Sequence, residues 1–135
     1  MNRKEPATRN QQQIELGVEL FNASQFWHAH EAWEAIWLAA QGDEKRFLQG
    51  LIQLAAAYHH VKRGTWRGAV RLFAAALAKL EPFPDGYLGV DRSAAITASI
   101  VHRACVVRGE GIEASDYPKL RYNSSTSSIQ RYLPH

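Results

Sequence analysis

Apolar residues recur at helical spacing through most of the chain and predict five helices. Gly42, Gly64 and Pro82 mark three of the breaks between them, and Ser24, Asp43, Thr65 and Asp91 are candidate N-caps. The expected helical segments are 11–23, 25–40, 44–63, 66–81 and 92–107.

The third helix is expected at the centre of the fold, because it is apolar almost all round, as in Leu51–Ala57. The fold predicted from this pattern is all-α, an antiparallel bundle of about five helices followed by a less regular C-terminal tail. Composition shifts after Arg108, where glycine and then serine replace the apolar residues. The predicted organisation is a flexible N-terminus (1–10), a helical bundle domain (11–108) and an irregular tail (109–135).

Composition limits the class of protein. The single cysteine, Cys105, excludes an internal disulfide and fits a reducing cytosol. No apolar segment follows the basic start, and the longest apolar run, Leu51–Tyr58, is too short to span a bilayer. A cytoplasmic protein with no membrane partner is therefore expected. The formal net charge of +3 is too small to indicate a nucleic-acid binder, and the basic strip Lys62–Arg71 is better explained as a solvated helix face.

Candidate chemistry lies where the second and third predicted helices face each other. On the second helix, Phe26, His30, Trp33 and Trp37 share a stripe with Glu34 at its edge. His59 stands in an apolar stripe of the third helix. If the two stripes pack antiparallel, the two histidines meet in the bundle beside a carboxylate. The predicted catalytic or metal-binding residues are His30, Glu34 and His59, and the predicted ligand-binding residues are Trp27, Glu31, Trp33, Trp37, Gln49 and Gln53.

Two imidazoles with carboxylates would suit a divalent metal or acid–base catalysis, whereas a histidine on an apolar face is also common as a satisfied core residue. The HExxH pattern is incomplete and no ExxH occurs, which excludes those two metal motifs. Three classes of function stay open. They are a metal-assisted or acid–base hydrolase, a non-catalytic module that binds a small molecule, and an interaction protein, such as a homo-oligomer, whose polar cluster only fixes the fold.

The order of these residues resembles a known family. Ala29-His30-Glu31, then Gln49-Gly50, then His59, and finally Gly89-Val90-Asp91 occur at the spacing typical of the domain-of-unknown-function family numbered 309. The resemblance covers roughly residues 21–91. It implies a small all-helical bundle with no established activity, in which His30, Glu31, Glu34, Gln49, Gly50 and His59 are signature residues.

Overall fold

A computed structural model describes residues 8–123 of the chain. These residues form five α-helices and one small antiparallel sheet, which confirms the predicted all-α bundle. The elements in chain order are α1 (Arg9–Asn22), α2 (Phe26–Trp37), α3 (Gly42–Arg63), α4 (Trp66–Leu80), β1 (Val90–Asp91), α5 (Ser93–Val107) and β2 (Arg121–Tyr122). None of the helices within 8–123 is both long and apolar enough to cross a membrane.

Helix α3 is central, in contact with α2 on one side and α4 on the other. Its neighbours run antiparallel to it. The start of α2 lies beside the end of α3, where Trp27 contacts His59, and the end of α2 lies beside the start of α3, where Trp37 contacts Lys45. Leu48, Leu51, Leu54, Ala55 and Tyr58 of α3 are all at most 1% exposed, as expected of a helix that is apolar almost all round.

Helix starts depart from the predictions at four places. Two of them are the predicted N-caps Asp43 and Asp91, since Gln41 holds the N-cap position of α3 and Arg92 that of α5. Helix α1 begins at Arg9, two residues before the predicted start, because Thr8 and Gln11 form a reciprocal capping box. Its first turn therefore occupies the last residues of the predicted flexible N-terminus, of which 1–7 lie outside the described residues. Ser24 does not cap α2, since Gln25 holds the N-cap position and Ser24 forms a turn with a φ of 61°.

The loop between α4 and α5 is fixed by a buried arginine. Arg92 is 8% exposed and donates to Asp85 at 2.8 Å and to the carbonyl oxygens of Glu81 and Phe83. Asp85 also accepts from the Ser93 hydroxyl. The Ser93 hydrogen bond, followed by the Arg92 charge, lowers the pKa of Asp85. The loop thereby starts α5 at a defined position beside α4.

The described part of the predicted tail packs against the bundle. Leu120 is 2% exposed within the core, and β2 pairs with β1 through Val90–Tyr122 and Asp91–Arg121. The Asn22 side-chain amide forms two hydrogen bonds with the Leu120 backbone. It donates to the carbonyl oxygen and accepts from the N–H, both at 2.8 Å. Residues 109–123 are thus largely non-helical, as predicted, but belong to the folded body, and the predicted tail beyond 123 lies outside the described residues.

Candidate functional site

Trp27 joins the two histidines that the sequence singles out. Its ring stacks on His30 with 4.4 Å between centroids and lies 5.0 Å from His59 at a tilt of 43°. This meeting follows from the antiparallel packing of α2 and α3, which places residue 27 beside residue 59. The indole is 45% exposed, so the contact lies at the surface end of the helix pair rather than deep in the core.

The carboxylates do not complete a buried cluster. Glu34 Oε2 lies 3.7 Å from His30 Nε2, but the Glu34 side chain is 55% exposed. Glu31 is equally exposed and pairs with His28 at 3.3 Å. Within residues 8–123 no group of three or more His, Cys, Asp or Glu side chains is placed to hold a metal ion. His30, Glu34 and His59 therefore do not converge as the ligands of the divalent metal that the sequence suggested.

Trp33, predicted to bind a ligand, lies in the core instead. Its side chain is 0% exposed and its Nε1 donates to the Ile14 carbonyl oxygen at 3.1 Å. The ring also contacts Phe21. Phe26 and Trp33 of the predicted stripe therefore face the core, His30 and Trp37 are half-buried at its edge, and Trp27 faces the site.

The remaining predicted ligand-binding residues are half-buried on α2 and α3. Trp37 is half-buried under the Lys45 ammonium, which lies 4.6 Å from the ring centroid. Gln49 and Gln53 are half-buried on α3. His30 Nδ1, Trp37 Nε1 and Gln53 Oε1 are buried yet have no hydrogen-bond partner among residues 8–123. Buried polar atoms in proteins normally bond to another protein group or to an ordered water.

A shallow pocket of about 310 Å³ opens between the turn that precedes α2 and the last turn of α3. Trp27 and His59 line it together with Lys62 and Arg63. Lys62 Nζ donates to the Ser24 carbonyl oxygen at 3.0 Å and so holds the turn in place. Arg63 has no side-chain partner within 8–123. We name this group, Trp27, His59, Lys62 and Arg63, the indole pocket.

The electrostatics of the indole pocket favour a negatively charged ligand. Burial, followed by the charges of His60, Arg63, His30 and Lys62, lowers the pKa of His59. Every charged neighbour among these causes is cationic or can become so. The imidazole is therefore neutral at pH 7 in surroundings of positive potential, where it can donate or accept a hydrogen bond.

A second polar group, which the sequence reasoning missed, joins α3 to α5. The Tyr58 hydroxyl lies 2.6 Å from His102 Nδ1 and 3.1 Å from Ser99 Oγ, and all three residues are at most 8% exposed. Burial raises the pKa of Tyr58, which keeps the phenol protonated, and lowers the pKa of His102. The available signal was the Ser99–His102 spacing of three residues, which places the two polar side chains on one face of α5.

Comparisons with known proteins concern the half of the chain that carries the indole pocket. Residues 14–72 match the model of a family described as "Domain of unknown function (DUF309)". An uncharacterized protein of Aquifex aeolicus (strain VF5) is 31% identical over 72 residues, which are 53% of this chain and 22% of that protein. The chain thus spans less than a quarter of the length of this relative.

A solved structure extends the likeness to the fold. The crystal structure of a conserved hypothetical protein from Thermus thermophilus aligns with a TM-score of 0.60 and 33% identity, over 67% of this chain and 94% of that one. The family match includes Trp27, His30, His59 and Arg63 but ends before α5 and its His102. None of these descriptions states an activity.

Proposed function

We propose that this chain, whose residues 14–72 match the DUF309 family model, is a binding module for small organic anions that carry a flat ring. The indole pocket is the proposed site. The observation that carries the proposal is a half-exposed tryptophan ring in contact with an imidazole and flanked by the unpaired guanidinium of Arg63.

Each part of the pocket has a role in this proposal. The exposed face of Trp27 would stack on a flat ring, as indole faces do in many ligand sites. Arg63 would pair with the anionic group through its planar donors, and the neutral His59 would add one hydrogen bond. The His30 ring stacks on Trp27, and its buried Nδ1 has no hydrogen-bond partner among residues 8–123.

Binding without chemistry is better supported than hydrolysis. Of His30, Glu34 and His59, only His59 lines the indole pocket. The Glu34 carboxylate lies beside His30 and faces solvent, so it is not positioned to orient His59 as a general base. A binding module requires only the stacking surface and the cation, both of which are in the pocket.

Adenosine monophosphate is a suitable probe, since it joins a flat ring to an anion. We expect it to shift the Trp27 indole and His59 imidazole NMR signals of the full chain with a dissociation constant of about 1 mM or lower. Bound phosphate would favour the imidazolium form and raise the pKa of His59. Adenosine and inorganic phosphate, added separately, test the ring and the anion.

Substitutions locate the binding. Arg63→Gln should weaken binding of the nucleotide and of phosphate, and Trp27→Ala should weaken binding of the nucleotide more than of phosphate. Arg46→Gln, an exposed change at the opposite end of α3, is the matched control and should change neither. The proposal fails if none of the three probes moves the Trp27 or His59 signals, or if Arg46→Gln has the same effect as Arg63→Gln.

A further inference from the structure

The groove between α4 and α5 exposes apolar side chains beside two unpaired arginines. Trp66, Arg67, Val70 and Arg71 line it from α4, and Val106 and Val107 from the end of α5. It is wide and open, with a volume of about 700 Å³. Trp66 is 36% exposed and Val107 61% exposed, so a substantial part of its apolar wall faces solvent. Exposed apolar surface rimmed by charge is characteristic of interaction sites.

The charges at the rim have one sign. Arg67 and Arg71 stand four residues apart on α4, which places both guanidinium groups on one face. Neither has a hydrogen-bond or ion-pair partner among residues 8–123, where the acid nearest the groove in sequence, Glu110, is already paired with Arg108 at 3.0 Å. The rim therefore presents two exposed cations that are available to pair with carboxylates of a partner.

We propose that the α4–α5 groove binds an acidic amphipathic helix of a partner protein. Such a helix would insert aliphatic side chains at i, i+3 and i+4 over Val70 and Val106, between Trp66 and Val107, and pair its carboxylates with Arg67 and Arg71. The complementarity is both apolar and electrostatic. The proposal concerns residues that the indole pocket does not include, so it stands or falls independently of the proposed small-molecule binding.

Charge and shape distinguish this occupant from three others. In a symmetric dimer centred on the groove, Arg67 and Arg71 would face their own copies, and the like charges would repel. A flat bilayer surface would contact the rim but leave the Val70 and Val106 floor uncovered. Single-stranded nucleic acid would use the arginines, but the groove offers it only one aromatic ring for base stacking.

The test uses the full chain and a labelled synthetic peptide of about 15 residues, with leucine at positions i, i+3, i+4 and i+7 and glutamate on the remaining helix surface. Fluorescence anisotropy should show saturable binding that weakens as salt is added. A peptide with lysine in place of every glutamate should bind at least about tenfold more weakly. Phosphatidylserine vesicles and a single-stranded oligonucleotide are measured in parallel.

Charge reversal gives the decisive comparison. The double variant R67E/R71E should lose at least about tenfold in affinity for the acidic peptide and gain affinity for the lysine peptide, an exchange that a folding defect could not produce. Trp66→Ala should weaken binding of both peptides. Arg46→Glu, at the far end of α3, should change the binding of neither peptide.

Three outcomes would overturn the proposal. One is no binding of the acidic peptide at about millimolar concentration. Another is a lack of charge preference, seen as equal binding of the acidic and lysine peptides or as peptide binding that R67E/R71E leaves unchanged. The third is binding of the vesicles or the oligonucleotide through Arg67 and Arg71 with no binding of the peptide, which would assign the groove to lipid or nucleic acid instead.

Discussion

Tyr58 packs at the centre of a cluster of aromatic rings from several helices. Its ring lies within 6.0 Å of those of Phe21, Phe26 and Phe73, which brings together side chains of α1, α2, α3 and α4. Its hydroxyl adds α5 through Ser99 and His102. One side chain thus contributes to apolar packing and also satisfies the polar atoms that α5 buries.

The two contributions of Tyr58 can be separated. Tyr58→Phe keeps the ring but leaves His102 Nδ1 without its partner, so we expect the free energy of unfolding to fall by about 1–3 kcal/mol. Urea denaturation followed by circular dichroism measures the change. Tyr87→Phe is the control, since the Tyr87 hydroxyl makes no hydrogen bond within 8–123, and its effect should stay below about 0.5 kcal/mol. Equal effects of the two substitutions would contradict a structural role for the hydroxyl.

His102 makes stability depend on pH. Burial lowers its pKa in the folded state, and the attraction of Asp116 opposes this only in part. The unfolded chain, with an ordinary histidine pKa of about 6.5, therefore binds the proton more readily. The contribution is complete above that pH and is lost as the pH falls from about 6.5 through the lower pKa of the folded state.

Urea denaturation from about pH 8 to pH 5 should show this loss, and His102→Gln should reduce it even though the variant is less stable at pH 8. His28→Gln is the control, because that side chain is 62% exposed, and it should leave the slope unchanged. A wild-type profile that is flat between pH 7 and pH 5 would refute the role of His102.

At the level of residues, the sequence identified the histidines more reliably than the tryptophans. A histidine among apolar residues is conspicuous, so His30 and His59 were found from spacing alone. Trp27 and Trp33 are chemically alike, and which of them faces the core depends on the rotation of α2 against α1. That rotation is set by the Trp33–Ile14 hydrogen bond and by Phe26 packing, both of which are long-range contacts. The Tyr58–His102 hydrogen bond is likewise a long-range contact, between residues 44 apart, and spacing along the chain does not reveal it.

Among the elements, α1 and α2 pack closely against each other at a glycine. A Cβ placed on Gly17 would lie 2.1 Å from Trp33 Nε1, well inside any allowed contact. Trp33 cannot move aside, because its side chain is fully buried and its Nε1 is bonded to Ile14. The absence of a side chain at position 17 therefore sets the distance between the two helices.

Gly17→Ala should reverse the usual effect of such a substitution. Alanine within a helix normally stabilises it by up to about 1 kcal/mol relative to glycine. Here we expect a loss of about 2–4 kcal/mol, because the buried indole must be displaced. Thermal unfolding measures the change, and Gly68→Ala is the comparison, since its nearest neighbour is the half-buried His60 ring at 3.1 Å. If Gly17→Ala were as stable as Gly68→Ala, the packing argument would be wrong.

The existence of the helices was predictable from the periodicity of apolar residues. Their exact ends depend on capping and turn hydrogen bonds, which that periodicity does not show. Gly64 ends α3 in the left-handed conformation, as expected for glycine after a periodic segment. Ser24 looked like an N-cap by residue type, yet it ends α1 instead: its φ is 61°, and the Gln25 N–H donates to the Leu20 carbonyl oxygen across it.

For the whole molecule, Asn22 at the end of α1 connects the N-terminal helix to the tail. Its amide exchanges two hydrogen bonds with Leu120, and its carbonyl oxygen accepts from Lys119 Nζ at 3.1 Å. Residues 98 apart in sequence are thereby fixed beside each other. The low apolar content of this segment predicted an irregular tail. Composition shows how much apolar surface a segment can bury, but not where a single leucine packs. Leu120 and Tyr117 both pack the described part of the tail onto the core, where the Tyr117 ring centroid lies 5.5 Å from that of Phe26.

A chain that ends at residue 108 should therefore be less stable than the full chain, although it retains all five helices. Loss of Leu120 burial and of the Asn22 hydrogen bonds predicts a decrease of about 3 kcal/mol or more in the free energy of unfolding, and urea denaturation of both chains measures it. Asn22→Ala in the full chain removes only the two side-chain hydrogen bonds to Leu120 and should lower the free energy of unfolding by about 1–2 kcal/mol. Lys119→Ala removes only an exposed contact and should lower it by less than about 0.5 kcal/mol. Equal stability of the shortened and full chains would mean that the tail merely rests on the bundle, and the folded domain would then end at α5 as the sequence alone had suggested.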